Sequence, residues 1–283
     1  MNENASAKTK KILSLVVRYF MCIVAAFWAL VPLVPVVTTA FKSKADYSSS
    51  KVMDLPATWD FSNFTYVWSK VDMGKAFLNS GVILVAVLVG SILISSMLAF
   101  VLNRFAFPGN GLIRNLFLFA AMIPGVAMQV TVYQIMSSLG LINSIPGYIL
   151  LMLGTDVISI YIFIQFFENL PVSLDESAIL DGCSYFGVYF KILLPLLKPA
   201  IVTCMILKGV ATYNEYYMAN LYLQDKNLYQ VVSTSLYKFT GPMGNQYNYI
   251  CAGVIITIIP ALIVFIVCQK QIYSGLANGA VKG

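Results

Sequence analysis

The chain has 283 residues, of which 59% are apolar and 11% charged, with a mean hydropathy of +0.80. Soluble domains carry about 25% charged residues, and a soluble chain so poor in charge would expose large apolar patches and aggregate, so a bilayer is the natural solvent. The formal net charge of +6 comes from basic residues scattered around helix ends rather than gathered in a stripe, which excludes nucleic acid as a partner.

A spanning helix needs roughly 20 apolar residues, because the hydrocarbon core is about 30 Å thick and each residue rises about 1.5 Å. Six segments qualify: 13–40, 80–102, 112–136, 146–167, 199–223 and 249–269. Residues 1–12 precede them as a short basic tail, 271–283 follow as a second tail, and 13–270 form the membrane domain. The first segment is too long for the apolar part of a signal peptide. Lys42 and Lys44 follow it instead of a small-residue cleavage site, so it is read as retained. Pro32 and Pro35 should kink or end it near its outer end.

Six spans place both termini on one side. Ten Lys and Arg residues fall on that side and seven on the other, which favours cytoplasmic termini. Residues 41–79 then form the longest external loop. Its Trp59, Phe61, Phe64, Tyr66 and Trp68 read either as an interfacial aromatic belt or as a docking surface for an external partner. Span two carries Ala86-x3-Gly90 and Ser91-x3-Ser95, small residues that let helices approach closely in lipid. Span three holds Pro124-Gly125, an expected break, and then Gln129. Irregular, polar backbone at membrane depth is tolerated where it faces protein or a water-filled cavity.

Asp156 in span four and Lys208 in span five both fall about 15 Å deep, near the bilayer centre. Charges there are costly and mark function, so the two are expected to pair or to face an aqueous cavity. Further out on span five, Lys208, Thr212, Glu215 and Ala219 share one face by the three/four spacing. Tyr213 and Asn214 adjoin them. Aromatic rings beside amide and carboxylate groups suit a sugar, and they equally suit helix–helix contacts and an interfacial tyrosine belt. A second external loop, 224–248, is rich in Tyr, Gly and Asn.

Several chemistries are absent from the sequence. There is no histidine, the usual general base and metal ligand. The five cysteines form no CxxC pair and read as small hydrophobes rather than disulfides or a metal site. No G-x4-G-K-[ST] phosphate loop is present, so the chain does not hydrolyse ATP by that route. No cofactor and no metal are expected on this chain.

Between spans four and five, residues 171–197 form a polar internal loop with strong helix signals. Pro171 stops a helix from running through. Ser173-x-x-Glu176 reads as a capping box, with Asp175 and Glu176 in the first turn where the helix dipole favours anions. Gly182 reads as the stop, and a second helix is expected from about Tyr185 to Leu193, ended by Pro195. The product is a helix–Gly–helix elbow whose apolar face, Tyr185, Phe186, Val188, Tyr189 and Phe190, must be buried against something.

Glu176, Gly182, Ile192, Leu194 and Pro195 stand in the order E-x5-G-x9-I-x-L-P. That pattern resembles the EAA loop of membrane subunits of ATP-driven, binding-protein-dependent importers. Ala178 and Asp181 also match, and Ser177 and Cys183 replace alanines with other small residues. WDFSNF at 59–64, IPG at 123–125, LGLINS at 139–144 and the tail GLANGAVKG extend the resemblance to the smaller permease of carbohydrate importers of the maltose and multiple-sugar type.

The resemblance implies an all-α membrane protein of six transmembrane helices, with the type I importer permease (MetI-like) fold, in the bacterial inner membrane. It implies a second, different permease, two ATPase subunits that carry ATP and Mg, and an external sugar-binding protein. Glu176, Ser177, Ala178, Asp181, Gly182, Cys183, Tyr185, Phe186, Phe190 and Pro195 would form the ATPase-docking loop. Asn278, Gly279 and Lys282 would lie in a tail that reaches between the ATPase subunits. Gln129, Asp156, Lys208, Thr212, Tyr213, Asn214 and Glu215 are the candidates for a substrate pathway, although in the maltose-type member the larger permease holds the sugar. The rivals are an ion-coupled secondary transporter using Asp156, Lys208 and Glu215, an intramembrane enzyme, and the same importer class with a non-sugar substrate.

Overall fold

The structure, a computed structural model, describes residues 2–154, 156–242 and 244–280, with side chains from 12 to 270. Every regular element among these residues is a helix. The chain divides into two units, Met1–Asp72 with Leu236–Ala261, and Met73–Ser235 with Leu262–Gly283.

In the first unit, α1 (Asn2–Leu30) and α2 (Leu33–Ala40) meet at Pro32, which takes the N-cap position of α2. Together they supply an apolar run, Ile12–Ala40, long enough to cross a bilayer. Phe27, Trp28 and Leu30 are all exposed, as suits a helix solvated by lipid. Where the chain leaves this run, polar side chains satisfy the turning backbone. Asn63 donates to the carbonyls of Ala40 and Lys42, both at 2.9 Å, and Asn248 donates to Asn63 Oδ1. Lys42 is fully buried, and its ammonium donates to Ser50 Oγ and to the Lys51 carbonyl.

Two short helices follow, α3 (Lys44–Ser49), capped by Ser43 Oγ, and α4 (Ser62–Lys70). Phe41 gathers Trp59, Phe61 and Phe64 around itself with centroids 5.0–5.1 Å apart. The aromatic segment around residues 59–64 is therefore a cluster, and Trp59 and Phe61 remain more than half exposed on it.

The second unit is built on α5 (Met73–Arg104), an unbroken helix of 32 residues. It continues through α6 (Asn110–Met122), α7 (Gln129–Ser138), α8 (Ile145–Met152) and α9 (Val157–Glu168). α10 (Ser173–Leu180), α11 (Tyr185–Gly187), α12 (Leu194–Leu196) and α13 (Lys198–Asn214) come next. α14 (Tyr217–Tyr222), α15 (Val232–Ser235) and α16 (Tyr247–Ala280) complete the chain, the last of these entering both units. α5 packs against α9, α13 and α8. Ala99, Phe100, Phe163, Phe167, Tyr189 and Leu193 form the centre of this core. The small residues of α5 permit that approach: a methyl placed on Gly90 would meet Leu153, and Ser91 and Ser95 are buried.

Among the described residues, three helices are long and apolar enough to cross a bilayer, and six spans result if each bent helix pair forms one. The break expected at Pro124-Gly125 is present. α6 ends at Met122, a 3-10 turn covers Gly125–Met128, and α7 leaves at 90° to α6. Segment 199–223 differs from its expected form, because α13 stops at Asn214 and α14 begins at Tyr217. No Pro or Gly marks this break. One tertiary and one local contact hold it instead: Ser233 Oγ donates to the Glu215 carbonyl, and Glu215 Oε1 accepts from Met218 N at the start of α14. Glu215 and Ala219 therefore do not continue the helical face of Lys208 and Thr212.

Candidate functional site

The elbow at 171–197 forms as two helices around a glycine. α10 ends with Gly182 at φ +85°, the left-handed region that only glycine enters without strain. Gly182 N donates to the Ile179 carbonyl and Cys183 N to the Ala178 carbonyl, the paired bonds of a Schellman cap. Ser184 Oγ then accepts from Gly187 N and starts the second helix.

Two details depart from the sequence expectation. The capping box does not form. Val172 occupies the N-cap position, its carbonyl accepts from the amides of Asp175 and Glu176, and no side chain caps the helix. Pro195 does not end the second helix either, because the helical run continues from Tyr185 to Leu196 before turning by 75° into α13. A π-helical stretch, Val188–Leu193, lies just ahead of Pro195. It absorbs the missing N–H and the ring clash that a proline imposes on the preceding turn.

The apolar face of the elbow is split. Val188 and Tyr189 are buried in the core, whereas Tyr185, Phe186 and Phe190 point outward, Phe186 being 68% exposed and Leu180 at the bend 86% exposed. Of the expected docking residues, Glu176, Ser177, Asp181, Gly182, Tyr185, Phe186, Phe190 and Pro195 lie on the exposed side. Cys183 is half-buried, and Ala178 is buried against the core and faces no partner.

Polar contacts that the sequence reading passed over tie the elbow down. Arg104 Nε lies 2.6 Å from Asp175 Oδ2, with both side chains nearly buried. The Arg104 amino groups donate to the carbonyls of Phe167 and Leu170. Asp175 Oδ1 has no hydrogen-bond partner among the described residues. Burial pushes the Asp175 carboxyl above its ordinary value, against the Arg104 guanidinium, which pulls it down. Deeper in, Ser96 Oγ and Tyr189 Oη share a hydrogen bond of 2.7 Å. An available signal was the spacing of Ser96, Phe100 and Arg104, four residues apart on one face of α5.

The pathway candidates do not form one site. Lys208 Nζ and Asp156 Oδ2 are 3.9 Å apart, so the two deep charges pair. Asp156 also caps α9, accepting from Ser159 N and Ser159 Oγ. Thr212, Tyr213 and Glu215 line a cavity of about 10 Å³ with Ser80, Tyr148 and Ser233. Thr212 Oγ1 there is buried without a hydrogen-bond partner among the described residues. Gln129 is buried, accepting from Tyr222 Oη at 3.0 Å and donating to the Gly125 carbonyl. Asn214 is exposed. In the C-terminal tail, Lys282 lies outside the described residues, as do the side chain of Asn278 and the surroundings of Gly279.

Residues 91–276, which contain the elbow, both deep charges and the break at Glu215, match the model of one family, the binding-protein-dependent transport system inner membrane component. The chain belongs to this family. It is a permease, a transport subunit rather than an enzyme. Relatives extend over most of its length. The probable ABC transporter permease protein YurM of Bacillus subtilis is 33% identical over 89% of this chain and 83% of its own. The arabinooligosaccharides transport system permease protein AraQ of Halalkalibacterium halodurans is 29% identical over 91% and 93%. The melibiose/raffinose/stachyose import permease protein MelC of Bacillus subtilis is 28% identical over 99% of both chains.

The permease also shares its fold with a chain of a bacterial ABC transporter involved in the import of the acidic polysaccharide alginate. The TM-score is 0.78 at 22% identity, over 90% of this chain and 95% of that one. Family membership removes the intramembrane enzyme and the ion-coupled secondary transporter from the rivals.

Proposed function

We propose that this permease is one of two different membrane subunits of an ATP-driven sugar importer, taking an oligosaccharide from an external binding protein. In this reading the chain crosses the inner membrane six times with both termini in the cytoplasm: the bent pairs α6–α7 and α8–α9 make one span each, and α13 starts another, with the elbow helix before it at the cytoplasmic surface. Two ATPase subunits dock on the elbow, and ATP-driven closure of their dimer pushes it. The permease pair then opens outward to the loaded binding protein, and hydrolysis resets it. The sugar class rests on the relatives, whose names assign them to arabinooligosaccharides and to melibiose, raffinose and stachyose.

The observation that carries the mechanism is the exposed tip of the elbow. Leu180, Tyr185, Phe186 and Phe190 stand out from a cap and a helix that are anchored in the core. An apolar projection on a rigid base suits insertion into a groove on a partner.

Gentle affinity purification of the chain from its native host tests this reading, with copurifying proteins identified by mass spectrometry. The wild type should bring down an ATPase and a second permease. Gly182→Pro should lose the ATPase at least tenfold, because proline fixes φ near −65° and cannot take the +85° that turns the elbow. Recovery of the chain alone in both forms would end the proposal.

A further inference from the structure

Two buried polar contacts in the second unit join the elbow to a single helix. Ser96, Phe100 and Arg104 stand at i, i+4 and i+8 on α5, so they lie in one row about 12 Å long. Each end of this row holds one limb of the elbow. Arg104 contacts Asp175 on α10 at 2.6 Å, and Ser96 bonds to Tyr189 on the second helix at 2.7 Å. Between them the Phe100 ring lies 5.5 Å from the Tyr189 ring. Ser96 and Tyr189 are buried to within 1% of completely. The Ser96–Tyr189 hydrogen bond is sheltered from water, and the Arg104–Asp175 contact is an ion pair in which Arg104 Nε makes no hydrogen bond among the described residues.

We infer that Tyr189 and Asp175 are positioning residues that rivet the elbow to α5, so that elbow and α5 move as one rigid body during transport. Two anchor points on separate limbs block both sliding and rotation, which one anchor does not. A force on the exposed tip is then delivered along an unbroken helix of 32 residues to its far end at Met73. α13, although joined to the elbow by the chain, is less suited to carry it: the path bends by 75° at its start and the helix stops at Asn214. The inference rests on the elbow being the ATPase joint.

The test is a distance measured by pulsed electron spin resonance in the intact complex purified from its host. The cysteines of this chain are first replaced by serine or alanine. Spin labels are placed at Lys191 on the elbow's second helix, outside the docking residues, and at Leu78 near the far end of α5, both exposed. The probe is ATP, with and without vanadate to trap the hydrolytic state. In the wild type the separation should stay constant to well within one helical turn, about 5 Å, between the nucleotide-free and trapped states. In a chain carrying Tyr189→Phe and Asp175→Asn the trapped state should broaden the distribution or shift it by about a turn. Tyr189→Phe leaves no orphan, since Ser96 Oγ also donates to the Ile92 carbonyl.

A wild-type shift of a turn or more on trapping overturns the inference. So does a doubly substituted chain as rigid as the wild type. Loss of the ATPase from the unsubstituted, label-free complex, or a Phe186→Ala chain that traps vanadate as the wild type does, contradicts the elbow reading instead and takes the inference with it.

Discussion

Asp156 and Lys208 put two charges near the middle of an apolar chain, and the 3.9 Å contact between them is how they are tolerated. Each is more than four-fifths buried, so removing one leaves the other uncompensated. Asp156→Asn and Lys208→Met should each destabilise the permease by about 3–5 kcal/mol, and the double substitution should recover a large part of that loss. Thermal unfolding of the three variants in detergent measures this. A double variant no more stable than the worse single one would mean that the contact contributes nothing. The pair was legible in the sequence because depth along two apolar segments sufficed to match the charges. The position of Asp175 was not. A carboxylate in a first helical turn reads as a solvated dipole partner, and the buried Arg104 that turns it inward stands 71 residues earlier.

At the scale of elements, legibility followed the punctuating residues. Pro124-Gly125 announced the break in span three, and Gly182 announced the elbow's turn, because each imposes its own backbone geometry. The break after Asn214 carries no such residue, and the Glu215 carbonyl it frees is met by Ser233 of α15, which no local pattern could reveal. The two faces of the elbow were merged in the sequence reading for a similar reason. Five apolar residues in a row of six show no period, and packing against Phe100 and the core is what distinguishes the inward Val188 and Tyr189 from the outward Phe190.

Close helix packing gives a graded prediction. A methyl on Gly90 would meet a methyl of Leu153, which can rotate away, whereas a methyl on Gly147 would meet the backbone carbonyl of Leu141, which cannot. Gly147→Ala should therefore cost about 1–3 kcal/mol and Gly90→Ala distinctly less. Melting temperatures of the two variants compare them, and Gly90→Ala as the more damaging change would contradict the packing described for α5 and α8.

For the whole molecule, composition alone dictated a membrane protein, and the elbow motif dictated the family. The chain has no phosphate loop and no histidine, and it presents an apolar tip anchored to a long helix. A motor and a substrate carrier on other chains are what the binding-protein-dependent family implies. The central claim is that this permease moves sugar by energy from ATP delivered through those partners. The most direct measurement is uptake of radiolabelled raffinose and arabinotriose into proteoliposomes holding the purified complex, with binding protein and ATP supplied together or singly. The account predicts uptake of at least one of these sugars only when both are present, and its loss in Gly182→Pro. Uptake that persists without ATP, or that an ion gradient drives through this chain alone, would contradict it.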